Sequence, residues 1–514
     1  MSAATTATAP AAQASTPRQS WGALLVLLAG IFITTLDFFI VNVAIPATQE
    51  DLHATPAAIQ WVVAGFGLAV AAGLITAGRL GDIYGRRRMF AIGLGLFTLA
   101  SAGCGLAGNA EMLIAARVLQ GAAAALLMPQ VLGIVNVLYV GEQRVKAFTA
   151  YGLAMGFAGV FGQLIGGALI QVDLFGLDWR SIYWINVPVG VVALVLAPRL
   201  VPESRGEGST RLDLVGTALI TFGLVAVVLP LVQGREQGWP LWTWLSLGVA
   251  PLLLGAFTLY QRRLGQGGGA PLVDPVLFRE RPFSVGITMA LVYGLVNAAF
   301  FLILALYLQM GHGMSALDSG LLFIALGVGY FLSSAISGRI AAKLGRQVLA
   351  AGALVQGLGH VVLVETLSGT HETLALIPGL ALTGFGMGLV MGPMAATVLA
   401  GIRAKHAGSA AGLLSTAQQV GGALGVALVG IVFYDTLGDA PTADTFGDAF
   451  VNGLWLLTAF CAAVAALVQL LPRRQAEAAS GSAESNGSGA LHGSKGSDGS
   501  DGSDGSAVRV DVLV

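Results

Sequence analysis

Fourteen separate stretches of about twenty mostly apolar residues follow one another along this chain, and that is the length a helix needs to cross the hydrocarbon of a bilayer. Inside lipid a backbone segment must satisfy its own polar groups, which a helix does within a single crossing. The first six stretches fall near residues 21–45, 59–79, 89–108, 112–138, 146–170 and 181–198. Two more lie near 214–233 and 241–260. The last six lie near 283–309, 317–338, 348–367, 373–400, 408–433 and 448–471. The pattern predicts an all-α polytopic membrane protein with its helices grouped as six, two and six.

Composition agrees. Of 514 residues 55% are hydrophobic and only 10% charged, against about 25% charged in an ordinary soluble domain. The 72 glycines are scattered through the apolar runs outside the C-terminal tail, as suits closely packed membrane helices. A net charge of -1 excludes the concentrated basic surface that a nucleic-acid binder needs. Cys104 and Cys461 sit in separate apolar runs with no Cys or His at ligand spacing, so both read as buried small hydrophobes, with neither disulfide nor metal site. The run beginning at Trp21 is too long for the core of a signal peptide and is expected to remain as the first span.

The segments divide the chain into a disordered N-terminus (1–20), a six-helix bundle (21–198) and a linker carrying two additional helices (199–282). A second six-helix bundle (283–472) and a disordered Gly/Ser/Asp-rich tail (473–514) follow. Basic residues set the orientation, because cytoplasmic loops retain Lys and Arg. With a cytoplasmic N-terminus, only Arg117, Arg180 and Arg235 of the 26 Lys and Arg lie elsewhere. Both termini are therefore expected in the cytoplasm of a cell embedding the protein in its plasma membrane. The opposite loops carry acids, and Trp179, Trp184, Trp239, Trp242 and Trp244 are expected to form an outer interfacial belt.

One motif occurs twice. Gly78-Arg79-Leu-Gly-Asp82-Ile-Tyr-Gly85-Arg86-Arg87 follows the second span, and Gly338-Arg-Ile-Ala-Ala-Lys-Leu-Gly345-Arg follows the tenth, 260 residues later. Eight spans separate the copies, so both face the same side, as parallel six-helix repeats with two inserted helices require. Glycine lets helix ends approach, and arginine binds headgroups and helix C-terminal carbonyls, so such a turn can latch one bundle against another. Ala342 stands where the first copy has Asp82, which makes the pair asymmetric.

Asp37 is the one carboxylate deep in an apolar span, where desolvation favours the neutral acid and makes it the leading proton carrier; a structural acid in a fixed ion pair is the alternative. Arg117, in the fourth span, is its natural partner, or a snorkelling structural arginine. His360 and Glu365, in the eleventh span, form a weaker candidate pair. Polar groups that can face a central cavity are Asn42, Gln163, Tyr293, Asn297, Gln356, Gln418 and Gln419, each of which can equally serve as glue between helices. A cavity with few fixed charges suits amphipathic or aromatic molecules.

These features resemble the major facilitator superfamily, and within it the fourteen-helix drug:proton antiporters, over roughly residues 20–472. Gly78 through Arg88 is similar to the superfamily's signature turn, which implies that Gly78, Arg79, Asp82, Gly85, Arg86 and Arg87 control a cytoplasmic gate. Leu36-Asp37 through Asn42 to Pro46 resembles the acidic first-helix motif, with Phe39 at a position often held by Thr. Arg117-Val-Leu-Gln120-Gly121 resembles the fourth-helix motif whose arginine takes part in proton coupling, and Asp178 through Asn186 to Pro188 resembles the approach to the sixth helix. Gly162, Gly166 and Gly167 keep the packing glycines of the fifth-helix antiporter motif, but Gln163 replaces the proline that kinks it.

The resemblance implies a major facilitator fold of two six-helix bundles plus two peripheral helices. It implies a non-enzymatic, proton-coupled exporter of drug-like molecules, functional as a monomer. No cofactor is expected beyond the proton gradient, and no phosphate-binding Gly-x-x-x-x-Gly-Lys-Ser/Thr pattern occurs; Gly384-Phe-Gly-Met-Gly388 lies inside a span and reads as helix packing. One proton moving inward through about 100 mV contributes about 2.3 kcal/mol, enough for roughly a fiftyfold gradient of a neutral solute. A metabolite symporter or facilitator, and a non-transporting sensor or scaffold using the tail, are the alternatives.

Overall fold

The computed structural model describes residues 21–205, 212–267, 269, 271–273, 277–369, 372–399, 407–438 and 441–471. The two terminal segments named above lie outside them. Among the described residues thirteen helices are long and apolar enough to cross a membrane, and a bent helix makes a fourteenth. They are α1 (Trp21–Asp51), α2 (Pro56–Tyr84), α3 (Arg86–Gly105), α4 (Ala110–Leu138), α5 (Gly141–Val172) and α6 (Asn186–Leu200). Then come α7 (Leu214–Gln233) and α8 (Leu241–Gln266). The last are α9 (Arg281–Leu306), α10 (Ala316–Leu344), α11 (Gln347–Gly369), α12 (Ile377–Val398), α13 (Ala407–Leu437) and α14 (Ala443–Gln469).

Several helices overrun the apolar stretches that mark them, because a helix continues into the interfacial layer once nucleated while hydropathy reports only its greasy middle. Thus α1 runs on through Pro46 to Asp51. Local chemistry sets many of the ends. Thr55 caps α2 with Pro56 at its first turn, Asn109 caps α4, and Ser315 caps α10. Thr442 and Thr445 form a reciprocal capping box at α14.

The two copies of the repeated motif end their helices in the same way. Gly85 has φ +104° and donates its N–H to the Gly81 carbonyl at 3.0 Å, and Gly345 has φ +55° and donates to Ala341 at 2.9 Å. A residue with a Cβ is strained at such angles, which gives the last glycine of each motif its reason.

Helices α1–α6 pack as one group and α9–α14 as another; the closest pairs across the seam are α5 with α10 and α2 with α13. Glycine makes these approaches possible. Gly162 and Gly166 of α5 lie on α1, with a Cβ at Gly166 falling 2.6 Å from Ile40 and Val43 side chains, whereas Gly167 faces the Ala316 carbonyl of α10. Gly384 and Gly386 of α12 lie on the backbones of α10 and α11, so that glycine run is helix packing.

We call the end bearing Gly85 and Gly345 the basic end and the other the acidic end. Toward the acidic end the two groups meet tightly: Gly320 lies against the Gln163 backbone, and Gln309 donates to the Val43 carbonyl at 3.0 Å. Toward the basic end a Cβ on Gly338 would meet nothing within 4 Å.

Three expectations are corrected. Helix α5 bends by 44° between Gly159 and Phe161 although Gln163 has replaced proline; Gly156, Gly159 and Gly162 leave this stretch without the side chains that stiffen a helix. The inserted helices are also less peripheral than expected. Helix α7 packs on both α2 and α13 across the seam, leaving α8 outermost. Their connecting turn holds both groups: Glu236 accepts from the Ala57 N–H at 2.7 Å, and Arg235 donates to the Tyr434 carbonyl at 2.6 Å. Trp179 leaves the interfacial belt, being fully buried with its Nε1 donating to Asp51.

Candidate functional site

Asp37 and Arg117 are both fully buried inside the first bundle and form an ion pair through Arg117 Nη1 and Asp37 Oδ2. Neither charge is left to Coulomb attraction alone, as burial without further hydrogen bonds would be costly. Asp37 Oδ1 accepts from Gln120 Nε2 at 2.8 Å and from Asn186 Nδ2 at 2.9 Å. Arg117 donates to Gln120 Oε1 at 2.8 Å and, through Nε, to the Val62 carbonyl at 3.1 Å. Asn186 also reaches Ser101, which in turn donates to the Tyr183 carbonyl. Three helices thus meet at one carboxylate, and α2 and α3 join the network through Arg117 and Asn186.

The network has spare capacity. Arg117 Nη2, the side-chain amide oxygen of Asn186 and the Tyr183 hydroxyl are buried without hydrogen-bond partners among the described residues. Such groups are costly to leave unpaired and are candidates to be paired in another arrangement of the bundle.

A cavity of about 260 Å³ lies between the two helix groups beside this network. Phe38, Phe39, Phe66 and Phe301 wall it with Met128, Met155, Met387 and Met391, while Thr34, Thr35, Tyr151, Tyr330, Ser415, Gln418 and Gln419 supply its polar groups. Among the described residues none that lines it carries a charge. Flexible, polarisable methionine and flat aromatic faces adapt to ligands of differing shape.

Phe66 belongs to both places: it lines the cavity, and the Arg117 guanidinium sits over its ring at 4.4 Å. From Phe66 a file of rings leads through Phe38 (6.0 Å) and Phe39 (5.1 Å) to Phe301 of the other bundle (5.1 Å). One aromatic layer therefore separates ligand space from the ion pair and touches both.

Of the seven polar residues considered for that cavity, only Gln418 and Gln419 line it. Asn42 donates to the Phe39 carbonyl of its own helix, and Gln163 donates to the same carbonyl from α5. Tyr293 donates to Gln356 at 2.9 Å, and Asn297 donates to the Tyr293 carbonyl, forming a closed network inside the second bundle. Gln163, Tyr293, Gln356 and Asn297 thus tie helices together within the bundles, and Asn42 bonds only within its own helix among the described residues. The His360–Glu365 pair does not form: His360 is buried, stacks on Phe300 and has neither ring nitrogen hydrogen-bonded.

In the first copy of the motif Arg86 binds Asp82 at 2.8 Å and reaches the Gly133 carbonyl of α4. Arg87 bonds the Val201 carbonyl, and Arg79 donates to the Pro271 carbonyl beyond α8. Gly78 lies at ordinary contact distance from Pro129. The turn is thus tied to its own bundle and to the linker, where a latch between bundles was expected.

Sequence reasoning missed Glu203. Its carboxylate accepts from the Arg87 N–H at 2.9 Å and the Arg88 N–H at 3.2 Å, capping α3 from the segment after α6. Glu203→Ala removes this cap, and we expect a loss of about 1–2 kcal/mol, read as a lower midpoint of thermal unfolding in detergent; an unchanged midpoint contradicts the assignment. Gln120 and Asn186 stood within recognised motifs without a role, and their signal was a polar amide inside an apolar run.

Comparison with known proteins agrees with this architecture. Residues 27–426 match the family model described as Major Facilitator Superfamily. The chain is 39% identical over 430 residues to the probable actinorhodin transporter of Streptomyces coelicolor, covering 82% of this chain and 74% of that one. It is 36% identical over 502 residues to the puromycin resistance protein pur8 of Streptomyces alboniger, covering 94% and 96%. The cephamycin export protein CmcT of Amycolatopsis lactamdurans is 35% identical over 462 residues, covering 88% and 92%. A solved peptide transporter POT in complex with sulfate superposes with a TM-score of 0.63 at 15% identity, covering 89% of this chain and 98% of that one, a likeness of fold alone. A family match through most of both bundles, together with relatives aligned over most of their length, makes this multi-pass membrane protein a member of the Major Facilitator Superfamily.

Proposed function

We propose that this protein exports amphipathic or aromatic drug-like molecules in exchange for protons, conferring resistance, with the basic end and both termini in the cytoplasm of a plasma membrane. The observation that carries the reading is the contact of Phe66 with both an uncharged aromatic cavity and the buried Asp37–Arg117 pair. Relatives named for antibiotic export and resistance support the direction and the substrate class.

On this reading the conformation described is open toward the cytoplasm and closed outside. Substrate enters from the basic end and packs on Phe38 and Phe66. With Asp37 unprotonated and paired with Arg117 the loaded bundles rock, the acidic end opens and substrate leaves, and a proton arriving at Asp37 from outside then cancels the charge that holds Arg117 in place. The freed arginine has Tyr183 and Asn186 near it with unpaired oxygens. The turns at Gly78–Arg87 close the cytoplasmic side during the outward stroke; the return stroke carries the proton inward, where Asp37 releases it and pairs with Arg117 again. The chain works as a monomer, since one copy contains both bundles and the cavity, and the proton gradient takes the place of any cofactor.

The test is puromycin uptake into everted membrane vesicles under an imposed pH gradient, acid inside. Uptake that needs the gradient and stops with a protonophore is expected. Gradient-driven movement out of the everted vesicles instead means symport into the cell, and no movement in either direction overturns transport.

A further inference from the structure

A second cavity, of about 370 Å³, lies among α2, α13, α7 and α8 toward the basic end. Ala71 and Ala72 of α2 and Leu413 and Thr416 of α13 form its inner side, and Ile220 of α7 and Thr258 of α8 its outer side. Neighbouring residues on the same two helices, Val70, Leu74, Ser415 and Gln418, face the central cavity. Only a single layer of α2 and α13, thinned by Ala71 and Ala72, stands between the two spaces. Closer to the acidic end that layer is shut, with Gly430 against Gln60.

The chemistry of the two spaces matches. This second cavity is almost wholly apolar, and Thr416 Oγ1 is buried beside it without a hydrogen-bond partner among the described residues. Helix α8 exposes Leu252 and Leu259 on its other side, as suits a surface against lipid. A molecule with a flat apolar body and a polar group concentrates in the membrane interface, at the depth where this pocket opens beside Arg262.

We infer that this pocket is a lateral vestibule in which uncharged amphipathic aromatic substrates, arriving from the membrane leaflet at the basic end, bind before passing between α2 and α13 into the central cavity. The inserted helices α7 and α8 build that vestibule. The inference rests on the export reading above and adds to it a second substrate site and a route.

The experiment uses the full-length protein in liposomes with Nile red, an uncharged aromatic dye, as probe, and puromycin export measured alongside. Cys104 and Cys461 are buried, so a cysteine introduced by Thr258→Cys is the exposed one for N-ethylmaleimide. Nile red is expected to slow its labelling. Thr258→Trp, at an exposed position outside the central cavity, is expected to raise the KM for Nile red about tenfold with the maximal rate unchanged, a split that loss of folded protein does not produce. If wild-type protein exports puromycin while Nile red leaves labelling of the cysteine variant unaltered and Thr258→Trp leaves its KM unchanged, a lipid chain occupies the pocket and the vestibule is overturned. Absence of any proton-dependent export by the wild type overturns the export reading itself.

Discussion

Asp37→Asn is expected to reduce proton-driven efflux to the level of cells lacking the protein, measured as puromycin susceptibility at matched membrane abundance. The substitution keeps the shape of the side chain and both its neighbours Gln120 and Asn186, but it removes the group that carries the proton and the counter-charge of a fully buried arginine. Breaking one partner of a buried pair costs about 3–5 kcal/mol, because the other charge is stranded. The variant should therefore also unfold earlier on heating. Asp37→Asn combined with Arg117→Gln removes both charges and should regain most of that stability while remaining unable to couple. Full resistance in a well-expressed Asp37→Asn variant contradicts proton carriage by Asp37; recovery of efflux in the double variant contradicts it equally.

Gly167→Leu should trap the transporter open at its acidic end. Gly167 faces the Ala316 carbonyl with no room for a Cβ, and a side chain there meets the backbone of α10, which cannot rotate away as a side chain can. Overpacking of this kind costs about 1–3 kcal/mol, and it acts only on the conformation in which α5 and α10 touch. The ratio of outside-closed to outside-open molecules should fall about 5- to 150-fold. Labelling of a Leu317→Cys reporter by a membrane-impermeant maleimide from outside should accelerate accordingly, with efflux falling as the cycle stalls. Unchanged labelling with unchanged efflux means that the contact does not seal the outer side.

The membrane-spanning architecture was legible because hydropathy is a local property: each span declares itself within its own residues. The ion pair was legible for a related reason, since Asp37 and Arg117 are charges placed deep in lipid-length segments and such charges need each other. Which face a polar residue shows was not legible. The spans are apolar nearly all round, so periodicity gives no inner side, and Tyr293, Gln356 and Asn297 satisfied one another inside the second bundle instead of reaching the cavity. Glu203 lay hidden in a short polar linker, and only the fold brings it to the start of α3. The seat of α7 across the seam likewise depends on contacts such as Thr76 with Thr217, 141 positions apart, which no local pattern encodes.

Exchange between solute and proton can be measured most directly from the proton side. Purified protein is reconstituted into liposomes containing a pH-sensitive dye, with no membrane potential and no initial pH difference, and a puromycin gradient is imposed. A gradient running in the direction of export should drive protons the opposite way, at a rate abolished by Asp37→Asn. Puromycin crossing the bilayer through the protein with no accompanying pH change, or with protons moving in the same direction, contradicts antiport through the Asp37–Arg117 pair.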